Sequence, residues 1–238
     1  MNGWQSYGMY NESPGFGSQV LWRPNGNLSI LSNNYYGRDT QNLPDRLRFH
    51  TDNSLQVKYL DRPENFLSKA AFSLTGDLGF ESGEGVSGFG GDSSTRQYFG
   101  GFMFYNRTWF SHDKFALTLG GGAMTNPGRY LVLIPPIQSS TTGPSGGANS
   151  VTGTSGYFPV SPGLPFKAWD STITFDYMPE DYITFRMEFC HRFANVPYFV
   201  GKGGITSPDG WNTTNNTGWE PDLVKSEDRL NLAMLVRF

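Results

Sequence analysis

The final stretch of the chain, Asp228–Phe238, alternates between apolar and mixed side chains, and this pattern restricts the possible folds most strongly. Every second residue counted back from the end is apolar, in the order Phe238, Val236, Met234, Leu232 and Leu230. The residues between them include the cations Arg237 and Arg229. Because successive side chains of a β-strand point to opposite faces, one face of this strand is expected to meet an apolar environment and the other to tolerate full charge.

The same period of two recurs along the whole chain, whereas the helical period is nearly absent. We predict ten strands, at residues 3–10, 15–22, 28–37, 47–60, 66–80, 96–110, 115–124, 166–177, 182–193 and 228–238. The clearest hairpin joins the eighth and ninth of these segments. The segment 96–110 is apolar in both phases, so the pattern does not assign its faces.

The connections between these strands alternate in length. After the first connection, at 11–14, four are short, at 23–27, 61–65, 111–114 and 178–181, and four are longer, at 38–46, 81–95, 125–165 and 194–227. Long structureless loops are uncommon in compact soluble domains, but transmembrane barrels combine short turns on one side with long loops on the other. The pattern therefore predicts an all-β fold with one domain, residues 1–238, that is a transmembrane antiparallel up-and-down β-barrel of about ten strands.

A soluble sandwich also alternates apolar and polar residues, and aromatic residues near strand ends argue against it. Transmembrane barrels carry aromatic girdles at both membrane interfaces. The candidates for these girdles are Trp22, Tyr59, Trp109, Phe110, Trp169, Tyr177 and Tyr182. In a barrel, the long loops near 81–95, 125–165 and 194–227 would be extracellular, and we hypothesise that 125–165 folds inward to constrict the lumen.

Composition excludes several other classes of protein. The net charge is −3, so no basic footprint indicates a nucleic-acid partner. One cysteine, Cys190, cannot form a disulfide framework within the chain. No run of 18 apolar residues is present, so no transmembrane helix is predicted.

Motifs for catalysis, cofactors and metals are weak. The segment Gly83–Gly88 matches the spacing of a dinucleotide-binding loop, but no βαβ context surrounds it. The run Ser111–Lys114 holds Ser, His and Asp as neighbours in a turn, whereas a catalytic triad converges in space. The three histidines, His50, His112 and His191, share no ligand spacing. We therefore expect no enzymatic activity, no cofactor and no metal.

The polar faces of the strands carry the residues with a predicted function. We predict that they line a water-filled lumen, where charged rings tune ion preference. The pore-lining candidates are Arg48, Asp52, Lys58, Asp77, Asp170, Asp176, Arg186, Glu188, Arg192 and Arg229. The alternative is that these side chains pair across strands and fill a narrow barrel, which would leave a structural or adhesion barrel whose extracellular loops bind partners.

Three stretches give a family resemblance. They are Asn2–Trp4, the run from Gly120 through Thr125-Asn126-Pro127-Gly128-Arg129-Tyr130 to Leu133, and Arg186–Arg192. With them the chain resembles the OmpL-like β-barrel porin family over nearly its whole length. The resemblance implies a porin of the bacterial outer membrane that passes small hydrophilic solutes or ions by diffusion.

The resemblance also carries expectations about partners and about the start of the chain. The terminal Phe238 resembles the final aromatic residue that the barrel-assembly machinery recognises, and membrane lipid would surround the apolar face. Members of this family normally have a signal peptide and further strands upstream of the Asn-Gly-Trp element. Met1 is therefore expected to be a fragment boundary or a late start, and the ten strands to belong to a larger barrel.

Overall fold

Nine long strands form one sheet in the part of the chain that this computed structural model describes, namely residues 12–40, 43–88, 90, 95–128, 130–131, 150–151, 154–155, 165–205 and 222–237. The strands are β1 (Phe16–Asn25), β2 (Leu28–Gly37), β3 (Leu47–Asp61), β4 (Leu67–Ser82), β5 (Tyr98–Phe110), β6 (Phe115–Pro127), β7 (Pro165–Glu180), β8 (Ile183–Ala194) and β9 (Ser226–Val236). Each strand pairs antiparallel with the next strand in the sequence, so the fold is an up-and-down meander.

Among the described residues of the connections, three pairs of two-residue strands are present. Val86–Ser87 runs parallel to Thr95–Arg96, while Ser150–Val151 pairs antiparallel with Thr154–Ser155 and Phe199–Val200 with Leu223–Val224. The residues that the structure describes contain no helix long and apolar enough to cross a membrane.

Nine of the ten predicted strands are confirmed, and the first, at 3–10, lies outside the described residues. Two strands end three residues later than predicted: β6 continues to Pro127 and β7 to Glu180, so the predicted loop at 125–165 and the predicted turn at 178–181 both begin later. The first of the other corrections concerns the end of β4. We predicted that the loop begins at residue 81, but the strand continues to Ser82, because Glu81 still pairs with Arg48 of β3. A second correction shortens the predicted turn at 23–27, since only Gly26 and Asn27 separate β1 from β2.

The predicted alternation of connection lengths is confirmed. The short connections 26–27, 62–66, 111–114 and 181–182 follow the odd-numbered strands, and the longer connections 38–46, 83–97, 128–164 and 195–225 follow the even-numbered strands. In an antiparallel meander these two sets leave opposite ends of the sheet. We call these ends the short-turn end and the long-loop end.

The sheet begins and ends with β1 and β9, and no pairing among the described residues joins these two strands. Because nine is an odd number, β1 and β9 run in the same direction. An antiparallel closure of this sheet into a barrel therefore requires an odd number of further strands between them.

Most large apolar side chains lie on one exposed face of the sheet. Examples from β1 to β9 are Trp22, Ile30, Leu74, Phe104, Leu119, Ile173, Phe189 and Leu232, each exposed over more than a third of its surface. Aromatic residues opposite each other in the register contact across strands on this face, for example Phe49 with Phe80 at 5.3 Å between ring centroids. We call this surface the outer face, since a continuous apolar area of this extent marks a membrane or partner interface.

Candidate pore lining

The ten predicted pore-lining residues all lie on the opposite surface, which we call the inner face. Residues paired across antiparallel strands share a face, and so do residues two positions apart along one strand. The register pairs Asp52 with Asp77 and Asp176 with Arg186, and it pairs Asp170 with Arg192. These ten charged side chains are thereby separated from the apolar outer face. The inner-face set is Arg48, Asp52, Lys58, Asp77, Asp170, Asp176, Arg186, Glu188, Arg192 and Arg229.

The structure assigns the faces of β5, which the sequence pattern left open. Phe104 pairs with Leu74 and lies on the outer face, whereas Tyr105 pairs with Ser73 on the inner face. Trp109 lies two positions after Arg107 and pairs with Ala116 of β6, so it shares the inner face with Tyr105. The Arg107 guanidinium lies 4.9 Å from the Trp109 ring centroid. The prediction that Trp109 belongs to an outer aromatic girdle is therefore wrong.

A four-charge cluster occupies the long-loop end of the inner face. Arg48 binds Asp39 at 3.1 Å and Glu81 at 2.5 Å, and Arg46 lies 3.7 Å from the same glutamate. Gln97 donates a short hydrogen bond to Glu81, which is only 2% exposed. Two cations and two carboxylates balance each other here, which offsets the cost of burying them.

Tyr130 from the β6–β7 connection is buried against this cluster. Its hydroxyl lies 2.9 Å from Nδ1 of His50 and donates to the carbonyl oxygen of Phe49 at 3.2 Å. The Arg48 guanidinium covers its ring at 4.9 Å, and Phe99 stacks on it with 6.3 Å between ring centroids. Burial raises the pKa of Tyr130, so the hydroxyl stays protonated.

The clearest ion-pair network lies near the short-turn end. Asp176 is fully buried and accepts from Arg186 through both carboxylate oxygens, at 2.7 Å and 3.0 Å. Arg107 binds the same carboxylate at 2.5 Å. This arrangement ties β5, β7 and β8 together, and two-pronged arginine–carboxylate contacts of this kind are among the stronger polar interactions in proteins.

A third cluster joins β8 to β9. Glu227 binds Arg192 at 2.6 Å and Arg229 at 3.0 Å. On the neighbouring strand, the backbone amide of Gly122 donates to the Asp170 carboxylate at 2.6 Å. Glu188 accepts hydrogen bonds from Thr174 and Asn231, at 3.0 Å and 3.2 Å.

Asp52 and Asp77 form an acidic pair on β3 and β4. Gln19 donates to Asn33 at 2.8 Å, and Asn33 donates to Asp52 at 3.4 Å, so a polar row crosses four strands. His50 Nε2 lies 4.0 Å from Asp77. The row borders a cleft of about 600 Å³ that Phe99 and Leu131 also line.

Sequence reasoning missed several members of these clusters. Asp39, Arg46 and Glu81 were placed in loops, and Arg107 lay in the strand whose faces were unassigned. Tyr130 lay within a long predicted loop. For Glu227, a signal was present, because it lies two residues before Arg229 and so shares its face in an extended strand.

The described residues show no group of three or more His, Cys, Asp or Glu side chains that could hold a metal ion. His50 lies on the inner face, His112 lies in the β5–β6 turn, and His191 contacts Asp228 at 2.7 Å on the outer face. Cys190 is a partly buried free thiol on the inner face. The predicted assembly signal, Phe238, lies outside the described residues.

Comparison with known proteins agrees with this architecture. No curated protein and no solved structure matches the chain. Residues 1–219 match the family model described as "Putative beta-barrel porin-2, OmpL-like". The match covers most of the sequence, including all the inner-face clusters apart from the residues of β9. The chain belongs to the OmpL-like β-barrel porin family.

Proposed function

We propose that this chain forms an outer-membrane porin through which small hydrophilic solutes or ions diffuse passively. The observation that carries the proposal is the division of one sheet into an apolar outer face and a charged inner face. A cation at the lipid-facing midplane of a barrel costs about 2–4 kcal/mol. This cost is avoided when the apolar outer face contacts lipid and the charged inner face contacts water.

The location and the partners follow from the same proposal. Membership of a porin family supports the outer membrane of a bacterial cell and a channel without catalytic activity. The long-loop end would be extracellular and the short-turn end periplasmic. Membrane lipid would contact the outer face, and the C-terminal strand would be recognised by the barrel-assembly machinery. Further strands would pair with β1 and β9, because an open sheet edge in hydrocarbon leaves backbone groups unpaired.

The second candidate is a barrel with a filled lumen whose loops bind partners. One observation favours it: the inner-face charges near the short-turn end are paired across strands and Asp176 is fully buried. Paired charges of this kind are what a plugged barrel needs. The clefts on the inner face support the open lumen instead, since the acidic row of Asp52 and Asp77 borders about 600 Å³ of open space.

Single-channel conductance of the folded chain in a planar bilayer tests the proposal. Discrete, stable current steps are expected. The folded state would be confirmed independently by heat-modifiable migration on a gel. A folded protein that never conducts, alone or with any upstream strands restored, would overturn the porin proposal in favour of the filled barrel.

Ion preference offers a sharper test of the lumen. The ion pairs among the described residues join neither Asp52 nor Asp77 to a lysine or arginine, so these carboxylates are expected to attract cations. Replacing both with asparagine is expected to shift the reversal potential in a salt gradient towards anions. Asp181→Asn, in the β7–β8 turn, is the matched control. Equal reversal potentials for all three proteins would remove Asp52 and Asp77 from the conduction path.

A further inference from the structure

We propose that two loop segments turn inward at the long-loop end and form the constriction that limits the size of the diffusing solute. The first stem comprises Asn126–Gly128 with Tyr130 and Leu131, and the second stem comprises Asn195–Val200. The first stem lies in the connection 125–165, which we hypothesised from the sequence to fold inward, whereas the second stem had no assigned role. The inference rests on the proposed porin function and names the residues that set its size limit.

The first stem is bent back onto the inner face by specific contacts. The side chain of Asn126 is fully buried. Its amide nitrogen donates to the carbonyl oxygen of Leu131 at 2.9 Å, and its amide oxygen accepts from the backbone N–H of Leu131 at 3.1 Å. Gly128 adopts a left-handed conformation, with φ of 78°, which favours glycine. The chain therefore reverses at once after β6, and Tyr130 is directed towards β3 and β4.

The space for Tyr130 is created by a glycine on the inner face. A Cβ atom at Gly79 would overlap the Tyr130 hydroxyl and approach Nδ1 of His50 to 2.7 Å. Tyr130 is thus fitted into a gap in the strand rather than resting loosely above it, and it is 2% exposed. Asn126, Gly128 and Tyr130, which belong to the stretch that gave the family resemblance, thus each have a structural role.

The second stem packs on the other side of the inner face. Asn195 is joined to Lys167 of β7 by two hydrogen bonds, at 2.8 Å and 2.9 Å. Tyr198 and Phe199 then cover a small apolar cluster built on Phe166 and Ala194, with Tyr198 meeting the Phe166 ring at 5.3 Å between centroids. This cluster is the main apolar packing on the inner face among the described residues.

Both stems are anchored in the same way. An aromatic ring of each stem lies against an arginine of a strand: Tyr130 against Arg48 at 4.9 Å, and Phe199 against Arg192 at 5.5 Å. Arg48 is also held by two carboxylates, Asp39 and Glu81, and Arg192 by one, Glu227. Contacts of this type are favourable for arginine over an aromatic face.

The open space of the inner face lies between the stems. The cleft of about 600 Å³ reaches Leu131 of the first stem, and a second cleft of about 330 Å³ reaches Tyr198 and Phe199 of the second. Asp77 and Phe99 line both clefts. A solute that enters from the long-loop end would therefore pass Asp77 and Phe99 with one aromatic stem on either side.

Polymer exclusion in the wild-type channel tests where the constriction lies. Polyethylene glycols of increasing size are added to one compartment of a bilayer that holds oriented channels. Polymers that enter from the short-turn side but not from the long-loop side would place the constriction between the stems. Equal exclusion from both sides would overturn the inference, while a folded chain without any conductance would overturn the porin function and the constriction with it.

Two variants test the residues themselves. Tyr130→Ala and Phe199→Ala are each expected to raise single-channel conductance and to admit the smallest sugar that the wild type excludes in a liposome-swelling assay. Tyr36→Ala is the matched control, since Tyr36 is exposed on the outer face and also lies at the long-loop end of the sheet. If one stem variant does not fold, the other and the polymer measurement still decide. Unchanged conductance and size limit in a folded stem variant would overturn the assignment of that stem.

Discussion

The short-turn end and the long-loop end of the sheet both bury charge, but different parts of the chain supply it. At the short-turn end, Asp176 is held by Arg107 and Arg186, and all three residues lie on strands. At the long-loop end, Glu81 and Arg48 of the strands are completed by Asp39, Arg46 and Gln97 from the connections. Strand register alone organises the first cluster, whereas the second requires the loops to be in place.

This difference separates the contacts that stabilise the sheet from the contacts that would shape the proposed opening. Contacts between strands at the short-turn end are formed together with the sheet itself. Contacts at the long-loop end position segments that lie on top of the sheet, such as Tyr130. We therefore expect changes at the short-turn end to affect stability first, and changes at the long-loop end to affect the opening as well.

The largest effect is expected from Asp176→Asn. The substitution leaves the guanidinium groups of Arg107 and Arg186 without their shared anion on a crowded inner face. Removing one partner of a buried ion pair typically costs 3–5 kcal/mol, and we expect about 3 kcal/mol because Arg186 is partly exposed. The free energy of unfolding in urea, with the protein in detergent or lipid, measures this loss.

Asp181→Asn provides the control, since it changes the same residue type in the adjacent turn. If both variants were equally stable, the Asp176 network would add nothing to stability. The proposed difference between the two ends would then fail, because an ion pair between strands would stabilise the fold no more than a charged residue in a turn.

The short-turn end was also the more predictable part of the fold. Period-two alternation and turn chemistry located nine strands, because both signals depend on near neighbours in the sequence. They placed Asp176 and Arg186 on one face of a hairpin, and the structure brings these two side chains into contact. Arg107 was missed, because β5 is apolar in both phases and only its pairing with β4 and β6 decides its faces.

The long-loop end could not be predicted from these signals. The contact between Tyr130 and His50 joins residues 80 positions apart. It depends on a gap at Gly79 that exists only once β4 has paired with its neighbours. No periodic pattern marks Tyr130 as buried, since it begins a short apolar run, 130–134, inside a predicted loop. The strand boundary at Ser82 was missed for a related reason, since Glu81 is buried only through partners from other segments.

A smaller effect is expected from Gly79→Ala at the long-loop end. The added methyl group would collide with the Tyr130 hydroxyl, so the tyrosine must leave its gap or β4 must shift. Overpacking of this kind costs about 1–3 kcal/mol. We also expect the single-channel conductance to change, because the first stem loses its anchor when Tyr130 leaves the gap. Single-channel recording in parallel with urea unfolding measures both effects.

Gly76→Ala is a close control for this substitution. Gly76 lies on the same strand, and a Cβ atom there would meet nothing within 4 Å. We expect its stability and conductance to stay near those of the wild type. If Gly79→Ala behaved in the same way as Gly76→Ala, Tyr130 would not be fixed by its gap, and the proposed distinction between the two ends would fail.

The smallest effect is expected at the β5–β6 turn, where acid should weaken one contact of the short-turn end. Three consecutive residues, Ser111, His112 and Asp113, have positive φ values of 53°, 56° and 62°. Asp113 stabilises this turn by accepting a 2.5 Å hydrogen bond from Ser68 and a short one from Lys69. Burial opposes ionisation of Asp113, but these hydrogen bonds outweigh it and lower the pKa of the carboxyl group.

A lowered pKa in the folded state fixes the direction of the pH dependence. The carboxyl group of the unfolded chain titrates at about pH 3.9. The stabilisation is therefore present above that pH and is lost as the pH falls through the lower pKa of the folded state. Because Lys69 and Asp113 are both more than a third exposed, the loss should stay below about 1 kcal/mol. Urea unfolding at several acidic pH values should show a steeper decline for the wild type than for Asp113→Asn. Parallel declines would mean that this turn, unlike the Asp176 network, is held by its backbone alone.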